Sequence, residues 1–217
     1  MAVHRPEAGA IEPLHFSCAL APLRLGVRYL DKGTALNSPD YPPEVYQRAQ
    51  AIRLLILDVD GVLTDGRLYF GPKGEALKVF HVRDGHGIKM LQKAGIEVAF
   101  LSGRRSDAAY LRAKELGISR FHEGLRDKVM VMEEIMAAMQ IEAGAVAAVG
   151  DDLVDLPHLR RVGLGVAVVD AVPEVIAAAH WVTNLPGGQG AVRQVCDLIL
   201  KAQGKWGEIV RPWLDAG

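Results

Sequence analysis

The sequence predicts a doubly wound parallel α/β sheet, and three observations carry that expectation. Aliphatic runs of strand length recur along the chain. Amphipathic helical patterns alternate with them, separated by short turns. The composition, 50% hydrophobic but only 6% aromatic over 217 residues, is that of helices packed on a buried aliphatic sheet. Strands covered on both faces read as continuous apolar runs, and strand–helix alternation is the sequence form of such a fold.

Residues 1–42 contain Pro6, Pro13, Pro22 and Pro39 and no sustained period, so an irregular, mobile extension is expected there. The body spans 43–203, followed by a tail, 204–217. A short helix opens at 43–51 with proline in its first turn. Residues 53–60 form the first aliphatic run and end in acids; 98–102, 145–151 and 164–168 are the next three. Helical patterns fall at 85–93, 106–116, 127–139, 153–161 and 173–179, and a last helix at 191–202. One segment interrupts the alternation. Residues 67–70, a turn at 71–74 and residues 75–82 read as a hairpin insertion, 67–82, at the carboxyl end of the first strand. Ligands of open α/β sheets bind at that end.

Charge and cysteine usage narrow the partners. Lys+Arg is 25 against Asp+Glu 26, a net charge of -1, with no basic stripe, so no nucleic-acid partner is expected. No apolar run reaches membrane-span length. The best signal-like stretch, 16–27, is broken by Pro22 and Arg24. Cys18 and Cys196 are far apart and suit neither a disulfide framework nor a zinc site, which points to a reducing cytoplasm.

The informative feature is where the acids fall. Asp58 and Asp60 close the first strand, and Asp151 and Asp152 close the third. If these strands are neighbours, the carboxylates converge and raise one another's pKa unless a cation joins them. Oxygen-only donors suit magnesium. Asp152 can equally cap the next helix. Ser102, before Gly103, offers a hydroxyl beside a helix start where phosphate oxygens are held, or is a turn residue. Lys128 opens a helix, the end that disfavours a cation on dipole grounds, and there it faces either an anion or solvent.

Together, Asp58-Val-Asp60-Gly-Val-Leu-Thr-Asp65, Ser102-Gly-Arg104, Lys128 and Gly150-Asp-Asp-x-x-Asp155 resemble the four motifs of the haloacid dehalogenase-like phosphatases, over about residues 51–201. The segments 52–63, 80–89, 149–157 and 187–198 are similar to the 3-deoxy-D-manno-octulosonate 8-phosphate (KDO 8-phosphate) phosphatase family. The resemblance implies a Rossmann-like sheet with a small hairpin insertion and no large cap domain. It implies Asp58 as nucleophile, Asp60 as acid and then base, and Ser102 and Lys128 as phosphoryl ligands. Mg²⁺ would be held by Asp58, the main-chain carbonyl of Asp60 and Asp151, with Asp152 in support.

The substrate so implied is a phosphorylated acid sugar. His81, Val82, Arg83, Asp84 and Gly85 match the family's substrate loop, with His81 where some relatives have Asn. Lys89, Arg104 and Arg112 are further basic candidates, although Lys89 and Arg112 also suit a solvated helix face. The resemblance further implies a homotetramer formed through the hairpins, and a segment at Gly187–Gly190 that reaches a neighbouring subunit's site, or else a flexible loop. Trp206 and Trp213 are expected to lack a fixed place or to pack on a neighbour. Two alternatives stay open: a phosphatase for a nonulosonate 9-phosphate, and a receiver-like phosphoacceptor domain without turnover.

Overall fold

A computed structural model describes residues 41–216. The expected mobile extension (apart from its last two residues), Cys18 and the signal-like stretch lie outside the described residues.

A six-stranded sheet forms the centre, in the order β5-β4-β1-β6-β7-β8 with every pairing parallel. The strands are β1 (Leu54–Leu57), β4 (Glu97–Leu101), β5 (Arg120–His122), β6 (Val146–Gly150), β7 (Leu164–Ala167) and β8 (Trp181–Val182). All residues of β1, β6 and β7 are buried, as continuous aliphatic runs require. Between β1 and β4 come the antiparallel pair β2 (Tyr69–Gly71) and β3 (Gly74–Leu77), then helix α2 (Val82–Lys93). The remaining helices are α1 (Pro43–Gln50), α3 (Asp107–Leu116), α4 (Lys128–Met139), α5 (Leu156–Leu159), α6 (Pro173–Ala178), α7 (Ala191–Ala202) and α8 (Trp206–Leu214). Right-handed crossovers put α2 and α3 on one face and α4, α5 and α6 on the other. The first layer is completed by α7, packed on α2 and α1. The winding reverses at β1, which pairs with β4 on one side and β6 on the other.

Three expectations need correction. The hairpin is shorter than 67–82, and α2 begins at Val82 rather than Gly85. The His81 ring starts it: Nδ1 accepts the Arg83 N–H at 3.3 Å, so His81 caps the helix. The tail is also not loose. Ile209 of α8 is 4% exposed against the core, the Arg193 guanidinium lies over the Trp206 ring, and Trp213 meets the His86 ring edge-on. Among the described residues, no helix is long and apolar enough to cross a membrane.

Candidate active site

The carboxyl ends of β1, β4 and β6 lie side by side, and their next residues are Asp58, Ser102 and Asp151. Register fixes this, since Leu57 pairs with both Phe100 and Val149. After Asp58 the chain makes a wide turn, closed by the Thr64 N–H on the Val59 carbonyl at 3.1 Å. Gly61 holds φ 99° in this turn, and a Cβ there would lie 2.0 Å from Asp151 Oδ2. Only glycine lets the loop lie against that carboxylate.

The expected convergence of acids is present, and Asp155, the motif acid given no role above, is part of it. Oxygens of Asp58, Asp151 and Asp155 lie within 4.8 Å of one another. Asp155 is fully buried and spent on other work: Oδ1 accepts from Lys128 Nζ at 2.7 Å, and Oδ2 accepts the Asp151 and Asp152 N–H groups at 3.0 and 3.3 Å. That leaves Asp58 and Asp151 as the pair able to take a cation. Asp152 is exposed, accepts the Leu153 N–H at 2.7 Å and forms a capping box with Asp155. Its side chain therefore serves as a helix cap.

Electrostatics agree with a cation site. Burial raises Asp58 to about 7, against the pull of Lys128. Burial, then the neighbouring Asp58, Asp155 and Asp152, raise Asp151 to about 8. Burial pulls Lys128 down, but Asp58 and Asp155 outweigh it and hold the pKa above the ordinary lysine value. The lysine that looked misplaced at a helix start is therefore a buried cation paired to both Asp58 and Asp155. Behind them His158 Nε2 lies 3.9 Å from Asp155 Oδ1. Burial lowers that imidazole to about 4, so it is neutral at pH 7.

Asp60 lies beside this cluster in a network the sequence reading missed. Its carboxylate pairs with Lys78, just beyond β3, and Arg104 Nε is 3.8 Å from Oδ2. Glu75 of β3 joins both cations, 3.1 Å from Lys78 and 3.4 Å from Arg104, and accepts the Ser106 hydroxyl. Burial works against Glu75 ionising, but these partners outweigh it and lower its pKa. The hairpin thus reaches the site through charged residues.

Other expected residues divide. Ser102 is 2% exposed and closes the Ser-Gly-Arg turn, donating to the Arg104 carbonyl at 2.9 Å. Arg83 and Val82 are exposed on the first turn of α2. Asp84 does not face outward with them. It is 1% exposed and accepts the N–H groups of Gly190 and Arg193 at 3.3 and 2.7 Å, which caps α7. Gly85 lets Arg112 lie close, since a Cβ there would be 2.2 Å from the guanidinium. Arg112 also pairs with Glu115 at 2.7 Å and lies over Phe80. Lys89 donates to the Leu116 carbonyl at 2.6 Å, where a cation suits the helix's carboxyl end.

Gly187–Gly190 packs on its own chain. Gly188 N–H donates to the Val62 carbonyl at 2.9 Å, and a Cβ at Gly187 would lie 1.7 Å from the Gly61 carbonyl oxygen. This loop buttresses the Asp58–Thr64 turn from behind, rather than standing free of the fold.

A central parallel sheet with paired acids at its switch point and a buried lysine defines the class. Residues 121–192 match the haloacid dehalogenase-like hydrolases. The 3-deoxy-D-manno-octulosonate 8-phosphate phosphatase KdsC of Yersinia pestis is 51% identical over 162 residues, covering 75% of this chain and 87% of that protein. Its crystal structure aligns with TM-score 0.74 over 76% of this chain and 89% of that one. The Moraxella catarrhalis enzyme of the same name, solved with magnesium, phosphate and KDO, aligns with TM-score 0.77 and 39% identity, over 80% and 99%. The chain belongs to the 3-deoxy-D-manno-octulosonate 8-phosphate phosphatase family of these hydrolases. That membership sets aside the receiver-domain alternative.

Proposed function

We propose that this chain is a Mg²⁺-dependent phosphatase that hydrolyses KDO 8-phosphate to KDO and phosphate, a step toward the lipopolysaccharide inner core. The observation that carries this reading is the buried Asp58–Lys128–Asp155 chain beside Asp151, in a protein half identical to a KDO 8-phosphate phosphatase.

Asp58, Asp151 and the main-chain carbonyl of Asp60 would hold the ion. When bound, Mg²⁺ neutralises charge on the phosphoryl oxygens and on the two acids. An Asp58 oxygen attacks phosphorus, the bond from phosphorus to the sugar oxygen breaks, and that oxygen takes a proton from Asp60. Water then attacks the aspartyl phosphate and gives a proton to Asp60. The bond to Asp58 breaks and phosphate leaves. Covalent catalysis divides one hard step into two, with one carboxyl serving as acid and then base. Lys128 and Ser102 supply charge and donors to the phosphoryl group. Arg104, 43% exposed at the site, and Arg83 can take the sugar's carboxylate.

The test is a panel of phosphorylated sugars with and without carboxylates, including KDO 8-phosphate and nonulosonate 9-phosphates, compared by kcat/KM. Preference for a sugar lacking the carboxylate would overturn the substrate assignment. The active form we propose is a homotetramer joined through the hairpins. Support comes from the exposed Leu68, Phe70, Leu77 and Val79 on or beside a two-stranded ribbon separate from the main sheet. The cytoplasm is the compartment proposed, where the buried Cys196 stays a thiol.

A further inference from the structure

Lys78 is a buried cation that the mechanism above does not use. Its side chain is 1% exposed, and its ammonium lies between the carboxylates of Asp60 and Glu75. A strongly hydrated ammonium enters such a place only against carboxylates. Glu75 is itself fixed, by the Ser106 hydroxyl at the start of α3 and by Arg104. The segment from Glu75 to Lys78 therefore carries an acid–base pair anchored on α3 at one end and gripping Asp60 at the other.

The two cations on Asp60 differ in freedom. Arg104 is 43% exposed and 3.8 Å from Asp60, so it can turn to a substrate carboxylate without dragging the site with it. Lys78 is enclosed, offers no face to a ligand, and stays when Arg104 leaves. An acid that must meet a leaving oxygen needs its orientation held through that exchange.

We propose that Lys78 is a positioning residue: it fixes the Asp60 carboxyl toward the leaving-group oxygen, so that the hairpin governs leaving-group departure. This rests on the phosphatase reading, with Asp60 as acid. Its consequence is selective. A sugar oxygen needs a proton to leave; p-nitrophenolate departs without one. Damage to Asp60 positioning therefore slows aspartyl-phosphate formation from the first and spares it for the second; the later hydrolysis, where Asp60 is the base, is common to both and does not enter kcat/KM.

The experiment compares Lys78→Met with the parent protein on the best sugar phosphate of the panel and on p-nitrophenyl phosphate, both with Mg²⁺. The ratio of kcat/KM on the sugar phosphate to kcat/KM on p-nitrophenyl phosphate should fall about 100-fold, the lower range of general-acid contributions. KM for the sugar phosphate should hold, and Lys78→Arg should recover part of the ratio. Equal losses of kcat/KM on both substrates, a loss carried by KM alone, or no loss would each overturn the proposal. Glu75→Gln/Lys78→Met removes both members of the pair, carries the same expectation, and replaces the single variant should that one not fold. The parent protein's choice of sugar tests the phosphatase reading separately, because the ratio is read on whichever sugar phosphate it prefers.

Discussion

Lys128 Nζ and Asp155 Oδ1 are 2.7 Å apart in a pocket from which solvent is excluded, with Asp58 on the lysine's other side. Asp155 also fixes the Asp151 main chain through its second oxygen. One carboxylate therefore holds both the lysine proposed to bind the phosphoryl group and the loop that carries a proposed metal ligand. Asp155→Asn leaves the lysine with half its compensation and turns an amide NH₂ either toward the lysine or toward two N–H donors. Breaking one side of a buried ion pair costs about 3–5 kcal/mol. The expected result is a Tm lower by roughly 10 °C for a chain of this size, with kcat reduced in the fraction that remains folded. Differential scanning fluorimetry and phosphate release measure the two, and an unchanged Tm would remove Asp155 from this role.

Metal affinity should depend on pH with a definite sign. Asp58 and Asp151 are raised to about 7 and about 8 by burial, so without metal both are largely protonated at pH 6. A cation needs them ionised, and binding must expel their protons. Affinity for Mg²⁺ should weaken as pH falls from 8.5 to 6. Calorimetry in buffers of different ionisation enthalpy should detect proton release near pH 6.5 and less at pH 8.5. Linkage gives the matching stability change. Carboxyls with raised folded pKa stabilise the metal-free protein below their ordinary pKa near 4 and lose that contribution as pH climbs through 7 to 8. The Tm gained on adding Mg²⁺ should therefore grow with pH, and EDTA should abolish turnover. Equal heats in all buffers at pH 6.5 would contradict the proton release.

Much of this site was legible in the sequence, because strand-end position is a local property. A buried aliphatic run ending in Asp58 places that residue at the sheet's carboxyl edge wherever the helices go, and the same holds for Asp151. Lys78 and Glu75 were not legible. A three- and a four-residue strand give no strong period, and what these residues touch is decided by the fold of the hairpin back onto Asp60. Asp155 stands in the Gly150-Asp-Asp-x-x-Asp155 motif, but what it holds, the Lys128 ammonium and the Asp151 and Asp152 N–H groups, comes only from the fold. The charge of Lys89 and Arg112 is visible in the sequence, as is Glu115 three residues beyond Arg112 on the same helix, but the Leu116 carbonyl that meets Lys89 comes only from the fold.

The Gly61 contact gives a third prediction. Gly61→Ala puts a methyl onto the Asp151 carboxylate and asks alanine to hold φ 99°. Asp151 must move, and it is one of two carboxylates left for the cation. Strain of about 1–3 kcal/mol is expected, with Mg²⁺ affinity weakened at least about tenfold when the ligand geometry shifts. A Mg²⁺ titration of activity measures it, and a parental Mg²⁺ dependence would refute the contact's importance.

Phe70 tests the assembly. It is 66% exposed on β2, near Leu68, Leu77 and Val79. Phe70→Glu places a charge where the proposed tetramer needs an apolar surface. Light scattering should show a mass reduced from about four chains toward one or two, with helix content retained. A tetramer that survives this variant would send the interface elsewhere.

Asp84 separates a structural role from a binding one. Its neighbour Arg83 faces solvent, so the same loop could be read as presenting both to substrate. The geometry opposes that reading, because both oxygens of Asp84 are spent on main-chain N–H groups at the start of α7. Burial raises its pKa against those hydrogen bonds, which marks a carboxylate shut away from water. Asp84→Ala strands the Gly190 and Arg193 amides and uncaps α7. It should cost about 2–3 kcal/mol through the lost cap and unsatisfied donors. Since Gly190 ends the loop that backs the Asp58–Thr64 turn, a modest fall in kcat can follow. KM for the sugar phosphate should not rise, because both oxygens of Asp84 are held by main-chain N–H groups. A severalfold rise in KM at unchanged Tm is the outcome that returns Asp84 to the substrate loop; lowered Tm with an unchanged KM identifies it as the cap.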